Sequence, residues 1–397
     1  MKFTSALSAF QNILQKALPA IPRKSTLPVL EHLYISLTGN VLSIVATDQE
    51  ITIKTTLTVE GEIDGSILVP GRRLNEIIKA MGSNGNLVFE SDESNFEIVL
   101  LTPFGKYDMK GLNHNEFLNI PELFESSRPE VDISGDKVTF LSEHTKTAFF
   151  AKQDLMNMAS KTAFAVSTDE FRPAMNGVLI QFRDNYVNAV ATDSFRLARN
   201  VLRSDSKRFP SDMDVIIPAR SMEVLKKVDE DVLVSVIETR GKTTHARFDI
   251  GDTVFITRLI DEKFPPYETV IPLGCDFTAI VNLKTLLGAI KRVSIFTNEF
   301  SHQIRVKFDK NFLHIHGEDE ETGTKADETI ECEYSGKFFE IAFNYKYLEQ
   351  ALDNLQGESE NDSLKVMFNE PSKPVLIKPN IEKEEVLMLI MPVRIQK

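Results

Sequence analysis

The chain has 397 residues, 42 % of them hydrophobic, and a formal net charge of −13. That length fits about two to four globular domains, each able to bury a core. No run approaches the ~18 apolar residues of a membrane helix, and Met1-Lys2-Phe3-Thr4-Ser5 starts no apolar signal segment. The only cysteines, Cys275 and Cys332, show no metal-type spacing, which weighs against a disulfide framework and predicts a cytoplasmic protein.

A short strand opens the chain. Leu7, Phe10, Ile13, Leu14 and Ala17 then recur at helical spacing and mark one buried face. An alternating strand, Val41–Val45, ends at Ala46-Thr47-Asp48, and Ile67-Leu68-Val69-Pro70 leads into a helix over Arg72–Met81. After Leu112…Phe117, Ser126-Ser127-Arg128-Pro129 reads as a linker. Val131–Phe140 reads as a hairpin turning at Gly135-Asp136. The order then repeats. A helix over Leu155–Val166 precedes the strand Tyr186–Val190 and the turn Ala191-Thr192-Asp193. Val215-Ile216-Ile217-Pro218 leads into a helix over Ser221–Val228, with Leu259…Phe264 after it. A third round has helices over Leu283–Ile295 and Tyr345–Leu355, the turn Gly317-Glu318-Asp319, and Ile341-Ala342-Phe343-Asn344 as the lead-in, Asn344 being a good cap.

The landmarks return at offsets of 145 to 148 residues and then at about 126, too long for a solenoid unit. One α+β domain, two helices on antiparallel sheet, is therefore written three times. The unequal offsets place roughly twenty extra residues between Leu123 and Phe149. The expected division is 1–127, 128–273 (with the extra hairpin at its start) and 274–397.

The six helices with their caps carry Lys16, Arg23, Lys24, Arg72, Arg73, Lys79, Lys152, Lys161, Arg220, Lys226, Lys227, Lys284, Lys291, Arg292 and Lys346. Only Glu76, Asp154, Glu223, Glu349 and Asp353 oppose them, a net of +10 in a chain of −13. Helices favour Glu as much as Lys, so the bias predicts a shared surface facing a polyanion, contacting phosphates without reading bases. Six helices ~10 Å apart would enclose a hole of only ~9 Å. Twelve, from two chains, leave ~28 Å, enough for a duplex roughly 20 Å wide. A three-repeat chain that encircles DNA must therefore be a homodimer.

Thr26-Leu27-Pro28-Val29-Leu30, Ala191-Thr192-Asp193 with Arg196-Leu197, Lys263-Phe264-Pro265-Pro266-Tyr267 with Ile271-Pro272, Ser335-Gly336 and Met391-Pro392-Val393-Arg394 occur in this order. Along its whole length the chain resembles the bacterial β sliding clamps, the processivity subunits of DNA polymerase III. The resemblance implies a non-catalytic, ring-shaped homodimer without cofactor or metal. Such a ring encircles double-stranded DNA and tethers the polymerase III catalytic subunit, the clamp loader and other clamp-motif proteins. It implies a peptide-binding pocket from Met175, Thr192, Ser194, Phe195, Arg196, Leu197, Pro265, Thr269 and Val270. Asn344, Tyr347, Pro374, Leu389, Ile390, Met391, Pro392, Val393 and Arg394 would complete it. DNA contacts would fall on Lys24, Arg72 and Arg73. The dimer joint would pair Tyr107 and Met109 with Ile295 and Phe296. The chain departs from the family at Ser194-Phe195, often Gly-His, at Ser301, often aromatic, and in the added hairpin.

Catalytic patterns are sparse. There is no Walker loop, no His-Glu-x-x-His and no Gly-x-Ser-x-Gly. Ser204-Asp205-Ser206-Lys207 fits Ser-x-x-Lys only by chance, in a polar loop. His314-x-His316 lacks a third ligand, and Glu318-Asp319-Glu320-Glu321 occupies a turn where Asp48 and Asp193 serve as turn formers in the other repeats. The competing function is a repeat-built scaffold that binds an acidic protein partner instead of DNA.

Overall fold

The computed structural model describes residues 1–118, 131–134, 137–140, 147–203, 212–359, 361–381 and 385–395. Six helices are described: α1 (Leu7–Ala17), α2 (Gly71–Met81), α3 (Lys152–Thr162), α4 (Ala219–Leu225), α5 (Leu283–Val293) and α6 (Tyr345–Asp353). The predicted apolar face of α1 is buried at every position. Pro70 and Pro218 lead directly into α2 and α4, and the Asn344 side chain caps α6 by accepting from the Lys346 N–H. Helix ends differ from the sequence expectation by a few residues. α5 stops at Val293, where Ser294 Oγ donates to the Lys291 carbonyl and the chain tightens into a 3-10 turn, Ser294–Phe296.

The chain forms two compact units: Met1–Lys152 with Val228–Leu259, and Gln153–Lys227 with Ile260–Lys397. In the first unit, an eight-stranded antiparallel sheet runs Thr147–Phe150, Val232–Thr239, Lys242–Ile250, Thr253–Arg258, Ile51–Thr58, Val41–Thr47, His32–Thr38 and Gly65–Pro70. First-repeat strands meet second-repeat strands where Thr253–Arg258 pairs with Ile51–Thr58, in the register Phe255↔Ile53. A five-stranded sheet ends at Gly105–Lys110. α1 packs against α2. At the start of α2, Gly71 lies close under Ile21 and Leu33: a Cβ there would come within 2.2 Å of Ile21 Cδ1 and 3.0 Å of Leu33 Cγ, so those side chains would have to shift.

The second unit repeats the plan. Its eight-stranded sheet runs Met213–Pro218, Gly177–Arg183, Tyr186–Thr192, Arg196–Arg203, Val386–Ile390, Val375–Pro379, Ser363–Phe368 and Phe277–Asn282. Here second-repeat and third-repeat strands join at Arg196–Arg203 and Val386–Ile390. A four-stranded sheet holds Thr324–Glu331, Phe312–Asp319, Gln303–Asp309 and Phe339–Asn344, and α5 packs on α6. The middle repeat thus gives strands to both large sheets, so the compact units do not follow the repeat boundaries.

The predicted hairpin is present as Val131–Ser134 paired with Lys137–Phe140, in the register Val131↔Phe140. Its turn, Gly135-Asp136, the linker Ser126–Pro129 and Ser204–Lys207 lie outside the described residues. No described helix is long and apolar enough to cross a membrane.

Candidate functional site

The turn before the joining strand is built by its own side chains. Asp193 Oδ1 accepts from the N–H groups of Phe195 at 2.9 Å and Arg196 at 3.0 Å. Thr192 Oγ1 donates to the Arg196 carbonyl at 2.7 Å. Ser194 takes the left-handed conformation at φ 78°, as Gln49 does at φ 79° in the first repeat, where Asp48 accepts from Glu50 and Ile51. Asp319 plays the same part in the third repeat, bonding the Glu321 N–H and the Thr322 hydroxyl. Ser194 Oγ accepts from Arg172 Nη1 at 2.9 Å and lies 3.6 Å from Met175 Sδ, which brings two expected pocket residues together.

Pairing then sets the core beside this turn. Leu197 lies opposite Leu389 and Arg196 opposite Ile390. Leu197 and Leu389 are buried with Leu179, Val190, Ile216 and Tyr267, and half-buried Met391, Phe264 and Ile271 pack on this cluster. Ile390 is wholly buried. Beyond Ile390 the chain crosses the third repeat. Met391 N–H donates to the Phe195 carbonyl at 2.8 Å, and Val393 N–H to the Ala342 carbonyl at 2.9 Å. Gln303 Nε2 donates to the Arg394 carbonyl at 2.8 Å. Met391, Pro392 and Val393 are half-buried, Arg394 is exposed, and Pro374 precedes Val375, which pairs with Ile390.

Tyr267 anchors the opposite wall. Pro265 and Pro266 lead into the 3-10 turn Tyr267–Val270, which presents Thr269 and Val270 to solvent. The Tyr267 hydroxyl accepts from Asn188 Nδ2 at 2.7 Å and donates to Gln181 Oε1 at 2.8 Å. Burial, then the charge of Glu268, pushes this phenol up to about 12.

Arg196 is committed within the chain. Nε pairs with Asp193 Oδ2 at 3.0 Å, Nη2 donates to the Phe164 carbonyl at 2.6 Å, and Nη1 donates to Gln350 Oε1. The guanidinium lies over both the Phe164 and Tyr347 rings, 5.3 and 4.8 Å from their centroids. Tyr347 also stacks on Phe195, which is 57 % exposed. Burial, then the charge of Asp193, raises the Tyr347 phenol above its ordinary range. The result is a packed apolar core, Leu197 and Leu389 each being 2 % exposed, bordered by exposed Phe195 and Val270 and by half-buried Tyr347 and Met391. Sequence reasoning missed Phe164, Arg172, Gln181, Asn188 and Gln350. Tyr267 was visible only as the end of the Lys263–Tyr267 motif.

Lys24, Arg72 and Arg73 are exposed in the first unit, where Arg72 Nη2 also donates to the Ile21 carbonyl. Many other helix cations face acids: Lys16 pairs with Asp229, Lys161 with Glu358, Lys284 with Asp362, Lys291 with Asp353 and Arg292 with Glu328. The helical positive charge is therefore partly neutralised locally, most heavily on α5. Tyr107 and half-buried Met109 lie on Gly105–Lys110, which pairs on one side only among the described strands. Ile295 and Phe296 are exposed in the turn after α5. His316 is held between Asp327 and Glu318, His314 bonds Thr329, and no three metal-binding side chains converge among the described residues.

Three family models match in order: DNA polymerase III beta subunit, N-terminal domain, over residues 1–121, the central domain over 150–266 and the C-terminal domain over 268–394. A curated beta sliding clamp of Staphylococcus epidermidis is 28 % identical over 407 aligned positions, covering 99 % of each chain. The crystal structure of the Bacillus subtilis DNA polymerase sliding clamp superposes with a TM-score of 0.84 at 26 % identity, covering both chains fully. A Pseudomonas aeruginosa sliding clamp bound to griselimycin does so with a TM-score of 0.84 at 25 % identity, again covering both chains fully.

Proposed function

This chain belongs to the DNA polymerase III beta subunit family, and from that premise we propose how its residues do the work of a sliding clamp. The protein confers processivity by holding a polymerase on duplex DNA. Two copies close head to tail around the duplex, each contributing three domains, 1–127, 128–273 and 274–397. The joint is Tyr107 and Met109 against Ile295 and Phe296. Lys24, Arg72 and Arg73 touch phosphates without reading bases, so the grip is topological. The cleft floored by Leu197, Leu389 and Met391 and edged by Phe195, Tyr347 and Val270 takes the clamp-binding peptide of the polymerase catalytic subunit, the clamp loader and other factors in turn. The chain does no covalent chemistry and works in the cytoplasm.

One observation carries this reading: a single domain plan recurs three times while one family accounts for the chain almost end to end. The test is retention on DNA. Loaded onto nicked circular plasmid, the protein stays through gel filtration; after linearisation it runs off. Neutralising Lys24, Arg72 and Arg73 together weakens loading several-fold at low salt, and the gap from the parent narrows as salt rises, because fewer counterions are released. Equal retention on circular and linear DNA defeats the clamp and leaves a protein-binding scaffold.

A further inference from the structure

Beside the end of the chain a cavity of about 520 Å³ opens on the third repeat. Its walls come from the loop at Asn298 and Ser301, from Gln303 and Arg305 on one strand, and from His316 and Glu318 on the next with the turn Asp319-Glu320-Glu321. Its size falls within the ~300–1,000 Å³ of ligand-binding clefts. Four carboxylates face one guanidinium, so the cavity repels phosphate and favours cations. Asp319 is used up in holding its turn and Glu318 lies against His316, whereas Glu320 and Glu321 are exposed and carry no ion pair among the described residues. Phe300, on the same loop as Asn298 and Ser301, is 87 % exposed. An exposed ring on a loop that lines an acidic cavity suits a lysine or arginine, whose methylene stem and charged head want different surfaces.

Gln303 ties this cavity to the peptide cleft. It lies opposite Asn344 in the sheet register and donates to the Arg394 carbonyl at 2.8 Å, and both residues are among those the family resemblance assigns to the peptide pocket. A chain leaving the cleft past Gln303 meets the acidic wall at once. We infer that this cavity binds basic residues flanking the clamp-binding segment of a partner protein, so that partners with a basic flank are held in preference to those without. The inference rests on the peptide cleft proposed above.

The test uses the full-length protein and fluorescence anisotropy. The probes are a peptide from the clamp-binding segment of a polymerase III catalytic subunit, bare or with Lys-Arg-Lys added at either end. At low salt one extended peptide binds about five-fold tighter than the bare one, the scale of a few partly exposed charge pairs. The advantage disappears in the Glu320→Gln, Glu321→Gln double variant and shrinks in Phe300→Ala, while the bare peptide binds all three proteins alike. These substitutions are on exposed side chains, so folding is not at stake. No gain from either extension, or a gain that survives in the double variant, overturns the inference. Failure of the bare peptide to bind the unaltered protein is a separate result: it overturns the cleft, and this inference with it.

Discussion

Arg196 has a side chain only 10 % exposed, and its Asp193 partner is 13 % exposed, so the pair is largely withdrawn from water. Removing the arginine would take a partner from a buried carboxylate, the Phe164 carbonyl and the face of Tyr347 together. Arg196→Ala should therefore destabilise the second unit by about 1.5–3 kcal/mol, the scale of losing charged hydrogen bonds, since Asp193 keeps the Phe195 and residue-196 N–H donors. Arg196→Lys should recover only part, since an ammonium cannot reach three acceptors while lying flat against two rings. Urea unfolding followed by circular dichroism measures both, and an Arg196→Ala variant as stable as the parent would refute the account. The Arg196-Leu197 motif was legible in the sequence, and so was the turn-forming role of Asp193. Phe164 and Gln350 were not, because they reach Arg196 from 32 and 154 positions away, and no local pattern encodes such contacts.

At the scale of elements, helices were the easiest to read, since their apolar spacing and proline or asparagine lead-ins are local signals. Their ends were less legible: hydroxyl back-bonding such as Ser294 to Lys291 decides the last turn. The charge bias on the helices was visible too, but not its neutralisation. Glu328, Glu358 and Asp362 belong to strands and loops that only folding brings beside Arg292, Lys161 and Lys284. The Tyr267–Val270 turn yields a pH prediction. Its phenol, ordinarily near 10, rises to about 12 in the fold. The folded chain therefore keeps a proton that the unfolded chain releases, so this stabilisation is whole below pH 10 and is lost as pH climbs towards 12. Tyr267→Phe should remove that part of the alkaline loss. At neutral pH it should cost about 1–2 kcal/mol, near the lower end because Asn188 still bonds Gln181 at 2.9 Å. Urea midpoints across the alkaline range check both effects; an unchanged alkaline slope in the variant would rule out Tyr267 as the titrating group.

For the whole molecule, the threefold repeat and α+β class were legible because each copy repeats its own turns and caps. How the copies share sheets was not. Phe255↔Ile53 and Leu197↔Leu389 join residues some 200 positions apart, and strand pairing over such distances leaves no periodicity to find. The sheets also leave edges. Gly105–Lys110 pairs only with Glu97–Thr102, and Thr324–Glu331 only with Phe312–Asp319, among the described strands. Long exposed edges are templates for another chain, and Ile295 is 77 % exposed in the turn after α5. A partner copy that covers these features removes two liabilities at once. Native mass spectrometry at low micromolar concentration should therefore find a species of about twice the 44.8 kDa chain. Ile295→Asp with Phe296→Asp should convert it to monomer without lowering the melting temperature of the separated chain, because neither side chain belongs to a core. A parent protein that is monomeric, or a double variant that stays dimeric, would place the joint elsewhere and remove Tyr107, Met109, Ile295 and Phe296 from it.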